Sequence, residues 1–80
     1  MSESEDAAEQ CRWLEAQAEA AYAQMYDAID ASTATARYSD AKEFLTDAIA
    51  WARKQGDDDT VARLDARRAH IKAVFRSQFS

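Results

Sequence analysis

An all-α fold, organised as an antiparallel three-helix bundle in up-down-up order, is predicted by three features of the sequence. The chain has no Pro and one Gly among 80 residues, so it lacks the turn residues of a β-rich fold. Alanine, the strongest helix former, occupies 19 positions, while β-branched residues are scarce. Apolar residues recur at steps of three or four along three segments, roughly residues 4–31, 39–55 and 58–78.

The first predicted helix begins near Ser2 or Ser4, because Ser2-x-x-Glu5 has the spacing of a capping box. Residues 1–5 are expected to be frayed. A stripe of apolar side chains then runs from Cys11 to Ile29 with a period of 3.6 residues. Residues 31–36 contain no glycine cap, so we expect the helix to fray into this segment rather than to stop sharply.

The second predicted helix takes Ser39 as its cap and ends before Gly56, which is expected to adopt the left-handed conformation of a C-terminal cap. Its apolar residues cover an arc of roughly 160°, wide enough to touch two neighbours, which predicts a central position. The third helix is expected to start within residues 57–60, where carboxylates suit the positive end of the helix dipole.

One small domain covering residues 1–80 is expected, with a thin core, because half of its apolar residues are alanine. Large side chains and the alanines between them supply the predicted core. It comprises Leu14, Tyr22, Met25, Ile29, Leu45, Ala48, Ile49, Ala52, Leu64, Ile71 and Phe75. So little large apolar surface favours close packing or self-association.

Several classes of protein are disfavoured by charge and composition. The net charge of −5 argues against indiscriminate binding to nucleic acid or to an anionic membrane. A single cysteine, Cys11, cannot form an internal disulfide, and the acidic start does not resemble a basic signal or transit peptide. No apolar run approaches the length of a membrane span. These features favour a soluble protein in the cytoplasm without a membrane partner.

The residues that could carry chemistry favour structural roles. Cys11 lies on the apolar stripe, where a core thiol is expected. His70 stands alone on a basic helix, and a metal site needs several converging ligands. The run of Asp57, Asp58 and Asp59 lacks the alternating ligands of a calcium loop and fits a helix start. We therefore predict no enzyme, no cofactor, no catalytic residue and no metal site.

Two features suggest an interaction surface. Trp13 falls outside the apolar stripe of the first helix, close to Ala16 and Ala20, and can anchor an interface or be covered by another part of the chain. A second stripe runs along the third helix at spacings of 4, 3 and 4. It consists of Ala62, Ala66, Ala69 and Ala73. Small residues allow close helix approach, either to the first helix, which is favoured, or at a subunit seam.

Charge is distributed unevenly, with −7 in residues 1–30, −2 in residues 31–60 and +4 in residues 61–80. The favoured interpretation is that the first and third helices run side by side and compensate each other. The leading functional prediction is a non-enzymatic helical protein–protein interaction module, binding a protein partner or itself as a homodimer. The alternative is a nucleic-acid-associated accessory protein with a basic surface on the third helix. That surface comprises Arg63, Arg67, Arg68, Lys72 and Arg76.

Overall fold

Three α-helices make up the computed structural model, which describes residues 3–79. α1 spans Glu3–Tyr26, α2 spans Ala31–Lys54 and α3 spans Asp58–Phe79. The predicted all-α three-helix bundle is confirmed, and α2 is the central helix that packs against both others. Ser2 of the predicted capping box lies outside the described residues, and the predicted fraying of residues 1–5 stays a prediction.

The boundary between α1 and α2 differs from the predicted one. α1 ends at Tyr26, and α2 begins at Ala31 with Asp30 as its cap in an extended conformation, φ −134° and ψ 156°. The Asp30 carboxylate accepts hydrogen bonds from the backbone N of Thr33 at 2.7 Å and from its Oγ1 at 3.0 Å. Ser39, the predicted cap, is an exposed residue inside α2. The predicted frayed segment is therefore the first part of a helix, because the Asp30 carboxylate caps it by accepting the otherwise free N–H of Thr33.

Ile29 was wrongly predicted as a core residue. It lies in the connection between α1 and α2 and is 99% exposed. Because α1 ends at Tyr26, the helical periodicity does not extend to residue 29. Met25, fully buried, is the last core residue of α1.

The connection between α2 and α3 follows the prediction closely. Gly56 has φ 70° and ends α2 in a Schellman arrangement, in which its N–H donates to the carbonyl of Arg53 and that of Asp57 donates to the carbonyl of Ala52. Asp57 then caps α3, because its carboxylate accepts from the backbone N of Thr60 at 3.1 Å and from its Oγ1 at 2.6 Å. The cap repeats the Asp-x-x-Thr arrangement found at Asp30.

α1 and α2 pair through a coiled-coil seam that is rich in alanine. Buried positions alternate at spacings of four and three, which is the heptad pattern. In α1 these positions are Ala7, Cys11, Leu14, Ala18, Ala21 and Met25. In α2 they are Ala34, Ala41, Leu45, Ala48 and Ala52, with half-buried Tyr38 completing the series. The small side chains along this seam allow the two helices to approach closely.

Contacts across the seam fix its antiparallel register. The Cys11 thiol donates to the carbonyl of Ala48 with Sγ and O 3.5 Å apart. At the other end of the hairpin, Arg37 donates to Gln24 at 3.4 Å. In an antiparallel pair of helices, the numbers of facing residues have a nearly constant sum. That sum is 59 for the first contact and 61 for the second, so Ala18 and Ala41, whose numbers also add to 59, lie at the same level of the seam.

α3 packs on one flank of this hairpin. Leu64 and Ile71 of α3 are fully buried, and the Phe75 ring stacks on Tyr38 of α2 with ring centroids 4.4 Å apart. Most of the predicted core is confirmed as buried, and Tyr22 and Phe75 are partly buried against it. The confirmed residues are Leu14, Met25, Leu45, Ala48, Ile49, Ala52, Leu64 and Ile71.

Candidate interaction surface

Trp13 lies on the surface of the hairpin and packs against a ring of α2. The side chain is 53% exposed, and its ring centroid is 6.3 Å from that of Phe44 with the planes at 89°. Such perpendicular aromatic pairs are favourable and hold both rings in place. Trp13 is therefore oriented by a neighbour while half of its surface remains available to another molecule.

Trp51 extends this surface along α2. It lies seven residues after Phe44, two helical turns along the same face, and is partly exposed. Lys54 covers part of the indole, with its Nζ 4.8 Å from the ring centroid. We call the surface formed by Trp13, Phe44 and Trp51 the aromatic flank. It contains both tryptophans of the chain.

The heptad pattern explains why α3 leaves the aromatic flank open. Phe44 and Trp51 each precede a seam position by one residue, whereas Ile49 and Tyr22 each follow one. Residues before and after the seam positions lie on opposite sides of a two-helix coil. Ile49 is buried at 3% exposure and Tyr22 contacts His70 of α3, so α3 occupies the opposite side of the hairpin.

Acidic residues surround the aromatic flank one or two helical turns from its rings. Asp6 and Glu9 precede Trp13 by seven and four residues, and Asp40 and Asp47 lie four before and three after Phe44. The nearby bases are Lys54, placed over Trp51, and Arg37, which pairs with Asp40 at 3.4 Å. The flank is thus apolar at its centre and has more acidic than basic residues around it.

The predicted neighbours of Trp13, Ala16 and Ala20, are exposed on the same helix. The second predicted stripe is exposed as well, which makes the favoured contact with α1 wrong. Its members are Ala62, Ala66, Ala69 and Ala73. They point outward because Leu64, Ile71 and Phe75 occupy the side of α3 that faces the hairpin. Whether this stripe forms a subunit seam stays a prediction.

Two basic residues of α3 form ion pairs with carboxylates of α1. Arg63 donates two hydrogen bonds to Glu15 at 2.6 and 3.0 Å, and Arg67 donates two to Glu19 at 2.9 and 2.6 Å. The hydrogen bonds from Arg67, more than its charge alone, hold the pKa of the Glu19 carboxyl below its usual value. In both pairs the residue numbers differ by 48, so α1 and α3 run parallel in a fixed register.

The other basic residues of the predicted surface lie farther around α3. Arg68 pairs with Asp65 at 2.6 Å and donates to the Thr46 hydroxyl of α2 at 3.1 Å. Lys72 is exposed and lines a shallow groove with Tyr38 and Lys42. Arg76 is also exposed, near the end of the helix. The predicted side-by-side compensation between α1 and α3 is therefore present, through the pairs of Arg63 with Glu15 and of Arg67 with Glu19.

The residues considered for chemistry occupy structural positions. Cys11 is 7% exposed, and burial raises the pKa of its thiol, with the charge of Glu15 adding to the shift. Such a thiol is a poor nucleophile. His70 is exposed beside Tyr22. Within the part of the chain that the structure describes, no group of three or more His, Cys, Asp or Glu side chains could hold a metal ion.

None of the three helices within residues 3–79 is both long enough and apolar enough to cross a bilayer.

Sequence reasoning located Trp13 but missed its partners in the aromatic flank. Phe44 and Trp51 were included in the wide apolar arc of the second helix, and both are partly buried against the core. The signal that places them on the side away from α3 is their heptad position, one residue before the seam residues Leu45 and Ala52. That signal requires the seam itself to be recognised first.

Known proteins offer no guide to this surface: no protein-family model matches the chain, and neither a curated protein nor a solved structure gives a match.

Proposed function

We propose that the chain is a non-enzymatic helical interaction module whose docking surface is the aromatic flank. The observation that carries the proposal is the half-exposed Trp13, held perpendicular to Phe44 on the side of the hairpin that α3 does not cover. Tryptophans in such positions are common energetic centres of protein interfaces. Without a partner, exposed apolar surface on a small domain promotes aggregation, so its presence here supports a binding role.

Site-specific photo-crosslinking tests this proposal. A benzophenone amino acid replaces Ala20, which lies on the face of Trp13, and in a matched variant it replaces Ala66 on the outer face of α3. Both positions are exposed alanines in the middle of helices. The crosslinking reaction is run in native lysate. It is then repeated with chains that carry the Trp13→Ala substitution in addition to the benzophenone amino acid.

We expect adducts from position 20 that are lost when Trp13 is replaced, and few from position 66. An adduct of twice the chain mass would identify the partner as a second copy. Adducts that form equally from both positions, or that survive Trp13→Ala, would contradict the proposed surface.

Nucleic-acid binding through α3, the alternative function, has weaker support. Arg63, Arg67 and Arg68 already donate to carboxylates of the same chain, and phosphate binding would have to compete with these pairs. Binding through the basic surface would fall steeply with salt. A labelled duplex and a labelled single strand, titrated at low salt, test this alternative, and the absence of any shift would exclude it.

A further inference from the structure

The proposed docking surface leaves open the kind of partner that it receives. We infer that the aromatic flank binds a basic amphipathic helix of another protein, which would lie along the hairpin on the side opposite α3. This inference rests on the proposed function, since it specifies the occupant of the same surface. Three observations select this occupant.

The first observation is charge. The hairpin of residues 3–54 contains eleven acidic and five basic residues, a net charge of −6. Around the flank itself, Asp6, Glu9, Asp40 and Asp47 outnumber the two neighbouring bases. A basic partner is attracted to this surface and oriented on it, whereas an acidic one is repelled.

The second observation is the way α3 itself binds the hairpin. The described part of α3 has three acidic and five basic residues, a net charge of +2, and its Leu64 and Ile71 are fully buried. Arg63 and Arg67 pair with Glu15 and Glu19 at the edge of that contact. One flank of the acidic hairpin is therefore already covered by a basic amphipathic helix, and the other flank has the same combination of apolar centre and acidic surroundings.

The third observation concerns a second copy of the chain as the occupant. Two copies joined flank to flank would bring two hairpins of net charge −6 together, which opposes association. Three of the arginines of α3 supply little of the missing charge, because Arg63, Arg67 and Arg68 are already paired with carboxylates of their own chain. A different protein is therefore the better match.

A synthetic helix provides the probe. It contains three copies of the heptad Leu-Lys-Ala-Leu-Gln-Lys-Ala, about 31 Å of helix, with a fluorescent label. A control peptide carries Glu in place of every Lys. Binding to the full chain is measured by fluorescence anisotropy at low and at physiological salt.

Three variants of the chain locate the binding. Trp13→Ala removes the aromatic anchor. The pair Glu9→Gln and Asp47→Asn removes two charges beside the flank, and the matched pair Asp58→Asn and Asp59→Asn removes two at the start of α3. Circular dichroism establishes that each variant is folded, and the charge variants leave the apolar packing intact.

We expect the basic peptide to bind, the acidic peptide to bind at least about tenfold more weakly, and Trp13→Ala to weaken binding by about tenfold. The double substitution beside the flank, Glu9→Gln with Asp47→Asn, should weaken binding several-fold more than the matched double substitution at the start of α3.

The inference would be overturned if the basic peptide shows no binding at chain concentrations up to about 100 µM, or if both peptides bind equally. It would also be overturned if the two double charge substitutions weaken binding equally. A chain that forms dimers dispersed by Trp13→Ala would also overturn it, while the proposed function would survive with a second copy as the partner. Failure of the peptide to bind, together with crosslinks that survive Trp13→Ala, would refute both.

Discussion

Arg67 of α3 donates two hydrogen bonds to Glu19 of α1, at 2.9 and 2.6 Å, and links two helices whose backbones make little direct contact. The same guanidinium lies 4.9 Å from the centroid of the Tyr22 ring, one turn further along α1. Tyr22 in turn contacts His70 of α3. Side chains of long reach therefore hold α1 and α3 in register, while α2 provides the packed core for both.

Replacing Arg67 with Ala is expected to lower the free energy of unfolding by about 1 kcal/mol, because the pair is partly exposed and solvent weakens it. Arg67→Lys should recover only part of the loss, since lysine keeps the charge but cannot form the two-pronged contact. Urea unfolding at neutral pH measures the free energy of unfolding of both variants. Equal stability of the Ala variant and the wild type would show that the contact contributes nothing to the fold.

The Glu19 pair also predicts a dependence on pH. Hydrogen bonds from Arg67 place the pKa of the folded Glu19 carboxyl below its ordinary value of 4.5. A lowered folded-state pKa stabilises the fold above the unfolded pKa, and this stabilisation is lost as the pH falls through the folded value. We expect Glu19→Gln to lose stability at neutral pH and to show a smaller further loss below about pH 4.5. Urea unfolding at a series of pH values measures both proteins, and free energies of unfolding that change with pH in parallel would contradict this.

Removing either helix cap should destabilise the chain. Asp30→Ala and Asp57→Ala each delete a carboxylate that accepts two hydrogen bonds from a threonine at the start of a helix. Each is expected to lower the Tm by about 5 °C. Asp27→Ala, at an exposed position of the connection after α1, serves as the control and should have a much smaller effect in the same thermal scan. A comparable fall for Asp27→Ala would point to overall charge instead.

Close packing of the seam is tested by enlarging one of its alanines. Ala18 is fully buried at the level of Ala41, so Ala18→Leu should cost about 1–3 kcal/mol through overpacking. Ala16→Leu adds the same volume at an exposed position two residues earlier and should be nearly neutral. Urea unfolding distinguishes them, and tolerance of both substitutions would mean that the helices are not held closely at this level.

Trp13→Ala is expected to leave the bundle folded with a loss of about 1 kcal/mol, because only the contact with Phe44 and part of the ring's burial disappear. Circular dichroism and thermal unfolding measure the effect. A loss of cooperative unfolding would instead make Trp13 an essential core residue and would remove the basis for treating it as a binding residue.

The fold was predictable because the helix-forming signals are strong and local. Gly56 and the acidic run after it mark the second connection clearly, and the structure confirms both. The first connection was misplaced although Asp30-x-x-Thr33 has the same cap as Asp57-x-x-Thr60, because no glycine draws attention to it. Alanine-rich sequence on both sides also hides the break in periodicity.

The seam and the aromatic flank were harder to predict for a related reason. Ala18 in the seam and Ala16 on the surface are chemically identical, so only the partner helix distinguishes them. The large residues Tyr22 and Ile29 favoured a period of 3.6, whereas the buried positions follow the heptad spacing of a coil. Without that spacing, Phe44 and Trp51 could not be assigned to the side of the hairpin that α3 leaves uncovered.

The most direct test of the aromatic flank uses the two tryptophan side chains, since both belong to it. The indole N–H signals of Trp13 and Trp51 are followed by NMR in 15N-labelled chain while the basic peptide is added. Both indole signals are expected to shift in a saturable way, while the backbone signals of four alanines on the outer face of α3 stay in place. These are Ala62, Ala66, Ala69 and Ala73. Unmoved indoles with shifts confined to α3 would contradict it.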